Sequence, residues 1–236
     1  TDAGPLADLF WAARQAAYPA MPASMHTREE CGHWFREVLG LEPRSIPMPA
    51  TRETWVAERD GVLVGYVVVD PGWLDSLYVR PDLTGAGIGA ALLDLVKSLR
   101  PDGFGLWVFE TNTRAQAFYA HHGLHAVRRT DGSDNEEHAP DVEMGWFGDD
   151  PVAGVRGRID AVDDRLAADL AERAALTAVV QRLKPVSGQA GRDPGREAEI
   201  AARMARRGTA LGDRLGEERL ARIMHTVISE SLDAAD

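Results

Sequence analysis

The chain has 236 residues, of which 44% are hydrophobic and 27% charged, as in a globular protein of one large domain or two smaller ones. Its net charge of -11 and pI near 5.1 argue against nucleic acid or an anionic membrane as the main partner. Apolar runs are short, and the N-terminal stretch has acidic residues and no basic n-region, so neither a membrane span nor a signal peptide is expected. The single cysteine, Cys31, suits a reducing compartment, and a cytoplasmic protein without a metal site is expected.

The first part of the chain alternates helix and strand patterns and predicts an α/β fold with a mixed sheet. Thr27 stands at the N-cap position of the second helix. Asp60 and Gly61 lie between two β-rich runs, as in a type I′ hairpin, and Pro81 ends the strand that follows. The predicted elements, in chain order, are helices 5–18 and 27–39, hairpin 54–70, strand 73–80, helix 88–100, strand 105–110, helix 113–123, and strands 124–130 and 142–147.

The last third of the chain carries helix patterns alone. Residues 149–155 are rich in Gly, Pro and Asp, which predicts a linker. Beyond it, periodicity predicts three helices, at about 154–184, 194–207 and 217–233. The chain is therefore expected to form two domains, residues 1–148 and 156–236.

A glycine-rich turn precedes an apolar helix in the first domain. Gly85, Gly87 and Gly89 lie at this helix start, where free backbone amides and the helix dipole favour an anion such as phosphate. Glycines let a ligand approach the main chain closely, although such turns also occur for packing reasons. By itself the turn leaves a phosphate site and a packing feature both open.

Two motifs in this domain resemble the GNAT (Gcn5-related) N-acetyltransferases. The turn resembles that family's acetyl-CoA diphosphate loop, Arg/Gln-x-x-Gly-x-Gly/Ala, with Thr84 in place of the usual Arg or Gln. The stretch LWVFETNTRAQAFYAHHGL resembles the family's next signature. The resemblance covers about residues 5–147, and it implies a mixed, mostly antiparallel sheet and direct acetyl transfer from acetyl-CoA to an amine. The residues that carry the second motif are Asn112, Ala115, Phe118, Tyr119 and Gly123.

The resemblance also implies functional roles. Tyr119 matches the family's general acid, with an aromatic core residue as the alternative. The base is left open between Asp75 and Glu110, either of which could be a solvated carboxylate. The acceptor is expected to be a small-molecule amine, and the acidic loop 131–138 hints at a cationic one. The residues expected to bind acetyl-CoA are Leu77, Val79, Thr84, Gly85, Ala86, Gly87, Ile88, Gly89, Ala90 and Asn112.

In the helical domain one helix face carries cations among apolar residues. Its positions, spaced alternately by three and four, are 156, 159, 163, 166, 170, 173, 177, 180 and 184, which predicts packing against other helices. Arg156, Arg173 and Lys184 share this face, and burying an unpaired cation costs on the order of several kcal/mol. A bound anionic ligand would neutralise these charges. The alternative is that the three cationic side chains extend out to solvent.

This spacing resembles the all-helical class of chorismate mutases. The stretch VRGRIDAVDDRLAADLAERAALTAVVQRLK, followed by RDPGRE, matches the family's first helix, loop and second-helix start, and VISES carries its serine. The resemblance covers about residues 154–236 and implies a three-helix fold in which two chains intertwine. The residues that it places at substrate-binding positions are Arg156, Arg173, Lys184, Asp193, Arg196, Glu197 and Ser231.

The implied substrate is a chorismate-like dicarboxylate that rearranges to prephenate without a nucleophile or a metal. Arginines would hold its carboxylates, and Lys184 would act on the ether oxygen as the catalytic cation. The family forms a homodimer in which each site takes its first arginine, here Arg156, from the partner. Ala235 stands where the family has a second donor, Gln or Glu. This departure implies a slow mutase, a relative such as 4-amino-4-deoxychorismate as substrate, or a site that only binds.

Together the resemblances predict a bifunctional enzyme of aromatic metabolism, linked to the shikimate pathway, that combines an acetyl-CoA-dependent N-acetyltransferase with a chorismate mutase. Two alternatives stay open. In one, the helical domain is a non-catalytic module that dimerises and senses a chorismate-type ligand, as Ala235 would allow. In the other, the mutase is active and the GNAT domain merely binds CoA, as Thr84 and the unassigned base would allow.

Overall fold

A computed structural model of the chain describes residues 3–43, 45, 51–187, 193–210 and 215–234. These residues divide into two compact units, Thr1–Gly154 and Val155–Asp236. Within the described ranges, no helix combines the length and the apolar character that crossing a membrane requires.

The first unit is built on a six-stranded sheet with the order β1-β2-β3-β4-β6-β5. Neighbouring strands are antiparallel except β3 and β4, which are parallel. The predicted mixed, mostly antiparallel α/β fold is therefore confirmed. Asp60 and Gly61 both have positive φ angles, 55° and 74°, as the predicted hairpin turn requires. The strands are β1 (Glu53–Arg59), β2 (Val62–Asp70), β3 (Trp73–Val79), β4 (Phe104–Phe109), β5 (His125–Thr130) and β6 (Asp141–Trp146).

Helices cover both faces of this sheet. On β2, Val67 and Val69 belong to the core cluster that includes residues of α3, whereas Tyr66 and Val68 belong to the cluster that includes residues of α1 and α2. Because successive strand residues face opposite sides, α1 and α2 lie on one face and α3 on the other. The second helix begins at Thr27, where the predicted cap forms a capping box with Glu30. The helices of this unit are α1 (Ala3–Ala17), α2 (Arg28–Val38), α3 (Ile88–Leu99) and α4 (Thr113–His121), with a 3₁₀ turn at Pro81–Leu83.

Three helices follow in the described part of the remaining chain: α5 (Pro151–Ser187), α6 (Pro194–Ala210) and α7 (Glu217–Asp233). The helix α5 begins earlier than its periodicity predicts. Pro151 suits the first helical position, and the Asp150 carboxylate accepts a hydrogen bond from the Ala153 amide at 3.1 Å. Residues 151–155, assigned by composition to a linker, are therefore helical.

One face of α5 is apolar and exposed. Ile159, Val162, Leu166 and Leu170, here called the α5 stripe, are 53%, 46%, 52% and 37% exposed. Spacing predicts this face to pack against helices, yet no described element of the chain covers it. In contrast, α6 and α7 pack against each other, and Ile228 and Ser231 of α7 are buried.

Candidate functional sites

The first candidate site begins where β3 and β4 diverge. In the described residues these parallel strands pair only at Trp73 and Gly105, near the start of each strand. A register shift against β2 leaves Asp75 as an extra residue, which bulges the strand. Leu77 and Val79 pair with β2, while the opposite edge of β3 is unpaired there. The two strands thus open a cleft whose wall includes free backbone groups of β3.

The glycine-rich turn forms the start of α3. Gly85 and Gly87 have φ angles of 89° and 84°, which favour glycine strongly, and a Cβ atom at either would meet open space within 4 Å. Gly87 is the N-cap and supplies no side chain, so the first-turn amides of α3 lack a side-chain acceptor in the described chain. Thr84 donates its hydroxyl hydrogen to the Pro81 carbonyl at 2.9 Å. The Ala86 amide donates to the Leu83 carbonyl at 3.1 Å. The donors left for a ligand are therefore backbone amides alone, those of Gly85, Ile88, Gly89 and Ala90, and they suit a diphosphate.

Tyr119 lies on α4 and packs against the core cluster that α3 shares with the sheet. Burial of its ring raises the pKa of the Tyr119 phenol above its usual range, with a smaller contribution from Tyr78. The phenol therefore stays protonated at neutral pH and can donate a proton. Asn112 caps the same helix, because its side-chain oxygen accepts a hydrogen bond from the Ala115 amide at 3.2 Å.

The two candidate bases differ in their surroundings. Asp75 lies in the bulge of β3 with 32% of its side chain exposed, and the Arg52 guanidinium is 3.4 Å from its carboxylate. Desolvation raises the pKa of Asp75, and Arg52 opposes part of that effect. Glu110 follows β4, is 49% exposed and pairs with Arg129 at 2.6 Å. The desolvated carboxyl is the better proton acceptor at neutral pH, which favours Asp75.

Two polar side chains that are buried beside the sheet, Arg14 and Tyr66, were not predicted from the sequence. Arg14 of α1 is 10% exposed and bonds the Glu137 carboxylate at 2.8 Å, and the Tyr66 hydroxyl is buried without a hydrogen-bond partner in the described chain. Glu136 meets His26 at 2.8 Å. Since Arg14 and Glu137 are 123 residues apart, no local pattern could have paired them. These two loop carboxylates are engaged by basic residues, which removes their support for a cationic acceptor.

The second candidate site is a cavity of about 280 Å³ between α5, α6 and α7. Three cations and two carboxylates line it, together with apolar side chains such as Ile228 and Leu232. Arg156 is exposed and does not line this cavity, and Ala235 lies outside the described residues. The predicted substrate residues that the cavity brings together are Arg173, Lys184, Asp193, Arg196 and Glu197.

Arg173 is held by α7. Its Nη1 donates to the Ser231 hydroxyl and, at 3.1 Å, to the Val227 carbonyl. The Ser231 hydroxyl in turn donates its own hydrogen to Val227 at 2.6 Å. Ser231, which is 5% exposed, therefore orients Arg173, and the remaining guanidinium edge is left for a carboxylate.

At the start of α6, the Asp193 side chain accepts a hydrogen bond from the Arg196 amide at 3.0 Å and caps the helix. The Arg196 guanidinium is 3.1 Å from Glu199 in an exposed pair. The helix start and Arg196 thus present positive charge to the same cavity. Within the described ranges, no group of three or more His, Cys, Asp or Glu side chains could hold a metal ion.

The described chain joins a mixed-sheet α/β unit to an all-helical unit with a cation-lined cavity, and comparison with known proteins shows what each unit resembles. Residues 50–124 match the model of the acetyltransferase (GNAT) domain, and residues 155–235 match that of chorismate mutase type II. The chain therefore contains a GNAT domain and a type II chorismate mutase domain, and both resemblances are confirmed.

Relatives of the first domain are N-acetyltransferases. The peptidyl-lysine N-acetyltransferase YiaC of Escherichia coli is 37% identical over 79 residues, which are 33% of this chain and 53% of the relative. YjaB of the same organism, also a peptidyl-lysine N-acetyltransferase, is 30% identical over 96 residues, 40% of this chain and 64% of the relative. The chain thus spans between half and two thirds of the length of these relatives. The solution structure of apo YjaB aligns with a TM-score of 0.48 and 23% identity, covering 62% of this chain and 92% of YjaB.

Proposed function

We propose that the chain is a bifunctional enzyme, an acetyl-CoA-dependent N-acetyltransferase and a chorismate mutase. The observation that supports it most is the cavity in the helical unit, where Arg173, Lys184 and Arg196 converge. The first domain adds an uncapped helix start, an open strand edge and a protonated tyrosine.

In the acetyltransferase domain each element has a separate task. The amides at the start of α3 hold the diphosphate of acetyl-CoA, and the free edge of β3 at Leu77 and Val79 binds its pantetheine arm. Acetyl-CoA supplies the activated acyl group when bound. Asp75 accepts the proton that the amine loses, and Tyr119 donates a proton to the departing thiolate.

The acceptor is a primary amine. The related YiaC and YjaB act on peptidyl-lysine by name, which makes a protein side chain one candidate. A small-molecule amine is the other, and an aromatic amine would link the two domains in one reaction sequence. A panel of lysine peptides and aromatic amines, assayed by thiol release from acetyl-CoA, distinguishes them.

In the mutase domain the cavity selects a dicarboxylate. Arg173 and Arg196 present guanidinium groups that bind carboxylates with two parallel hydrogen bonds, and Lys184 supplies a compact charge for the ether oxygen. Asp193 and Glu197 can accept from a ligand hydroxyl or pair with an amino group. Both chorismate and an amino-chorismate analogue fit this charge pattern. Catalysis consists of holding the compact conformer and stabilising charge that develops on the ether oxygen.

The site is completed by a second copy of the chain. Arg156 lies 17 residues before Arg173 on the same helix, a separation of roughly 25 Å, so it cannot reach the cavity of its own chain. The α5 stripe lies between them and offers an apolar surface for the same helix of a second copy. A homodimer of this kind covers the stripe and brings Arg156 to the partner's cavity.

The first prediction concerns Arg173→Ala. It should lower chorismate turnover by about a hundredfold or more, since a buried charged contact to the substrate is lost, while acetyl-CoA affinity stays within about twofold. Chorismate loss and prephenate formation are followed with purified chain, and Arg165→Ala, an exposed change on the same helix, is the control.

Three outcomes separate the alternatives. Equal losses of turnover and acetyl-CoA affinity in Arg173→Ala would contradict separate sites. Micromolar binding of a bicyclic transition-state analogue without turnover would favour the sensing module. Mutase turnover without acetylation of any amine in the panel would favour a GNAT domain that merely binds CoA.

A further inference from the structure

The cavity in the helical unit contains one neutral hydrogen-bonding group that the proposed mutase function has not used. Thr177 and Gln181 of α5 are the uncharged polar residues that line it in the described chain. The Thr177 hydroxyl donates its hydrogen to the Arg173 carbonyl at 2.9 Å, and the neighbouring Ser231 hydroxyl donates to Val227. Both hydroxyl hydrogens are therefore committed to the backbone.

The side chain of Gln181 differs from these two hydroxyls. Its side chain is half-buried, and no described residue bonds its amide. The amide keeps two N–H donors, and they are not among the fully buried, unpartnered atoms of the described chain, so they can bond water in the cavity. A ligand acceptor in the cavity can take the place of that water.

The position of Gln181 indicates which ligand atom it meets. It precedes Lys184 by three residues, so the two side chains are neighbours on one helix face, with Cβ atoms about 5–6 Å apart. The ligand carboxylates have Arg173 and Arg196, and a ligand hydroxyl can donate to Asp193 or Glu197. An ether oxygen only accepts, so it needs an N–H donor. The wall on α7 at Ile228 and Leu232 is apolar and supplies none.

We propose that the Gln181 amide donates a hydrogen bond to the ether oxygen of the bound dicarboxylate, beside the Lys184 ammonium. This inference rests on the proposed mutase function. It gives the reaction a second donor from the first helix of the domain, and the bond strengthens as the C–O bond breaks and negative charge develops on the oxygen.

The test compares Gln181→Leu, Gln181→Glu and the exposed control Arg182→Ala in the full-length chain. Gln181→Leu should lower kcat by about a hundredfold with a smaller change in KM. In Gln181→Glu the carboxyl donates only when protonated, so kcat should recover as pH falls, unlike in the wild-type chain. Arg182→Ala should keep the wild-type kcat within about twofold.

Ligand binding gives an independent measurement. Calorimetry with an oxabicyclic dicarboxylate and its carbocyclic counterpart should show that the wild-type chain prefers the ether, and that Gln181→Leu loses about tenfold of this preference. An unchanged kcat and preference in Gln181→Leu would overturn the Gln181 assignment alone. A wild-type chain that neither converts chorismate nor binds either dicarboxylate would overturn the mutase function and this assignment together.

Discussion

In the proposed acetyl transfer, Tyr119 must carry a proton and Asp75 must be ionised. Burial raises the pKa of both groups. For the phenol this preserves the donor form at neutral pH, and donation is lost only as pH rises above its raised pKa. For the Asp75 carboxyl, the raised pKa means that the ionised form, which is the base, becomes protonated at a higher pH than in an ordinary Asp. Acetylation should therefore decline as pH falls through this raised pKa.

The second prediction is that Tyr119→Phe lowers kcat for acetyl transfer by about a hundredfold or more, since the departing thiolate then lacks its proton donor. The ring remains, so packing and acetyl-CoA affinity should change little. Thiol release in steady state and acetyl-CoA titration measure the two effects. A kcat within about twofold of wild type would remove Tyr119 from the mechanism, and mutase turnover in the same variant serves as the control.

The third prediction, Asp75→Asn, tests the proton that the acceptor amine loses. It should abolish the decline of acetylation at low pH and lower kcat throughout, because an amide cannot take the amine proton. The pH profile of kcat/KM is the measurement, with Glu110→Gln as the matched control. If Glu110→Gln lowers kcat/KM more than Asp75→Asn does, the base is Glu110 and not Asp75.

At the level of elements, local pattern predicted most of the architecture. Periods of two and 3.6 residues give the strands and helices, and the glycine spacing predicts the uncapped start of α3. The bulge at Asp75 depends on register against β2, and the Arg14–Glu137 pair depends on tertiary contact, so neither has a local signal. The spacing also grouped Arg173 with Lys184, but the hydrogen bonds by which Val227 and Ser231 hold Arg173 form only once α5 and α7 pack together.

The α5 stripe gives the fourth prediction. Leu166→Glu places a carboxylate in the proposed interface and should weaken dimerisation by about a hundredfold, as measured by sedimentation velocity over a concentration series. Ala168→Glu adds the same charge about 200° around the helix and should leave the dimer intact. Equal assembly of the two variants, or a monomeric wild-type chain, would exclude the stripe as the dimer contact.

At the scale of the whole molecule, the proposed homodimer makes mutase activity a property of pairs of chains. A symmetric dimer has two equivalent cavities, each with Arg173 from one copy and Arg156 from the other. A copy that lacks Arg156 damages its partner's site, and a copy that lacks Arg173 damages its own. Within a dimer of one Arg156→Ala chain and one Arg173→Ala chain, both defects fall on one cavity and the other cavity is intact.

The fifth prediction follows from that arrangement. Arg156→Ala and Arg173→Ala chains, each inactive as a mutase alone, should regain about a quarter of wild-type turnover when unfolded together and refolded at equal concentration. Half of the dimers are then mixed, and each mixed dimer has one intact cavity. Acetyl-CoA binding by the refolded mixture shows that the chains are native. If mixing restores nothing while both variants dimerise, Arg156 does not act across the interface, and the cavity of a single chain must supply every cation that the substrate requires.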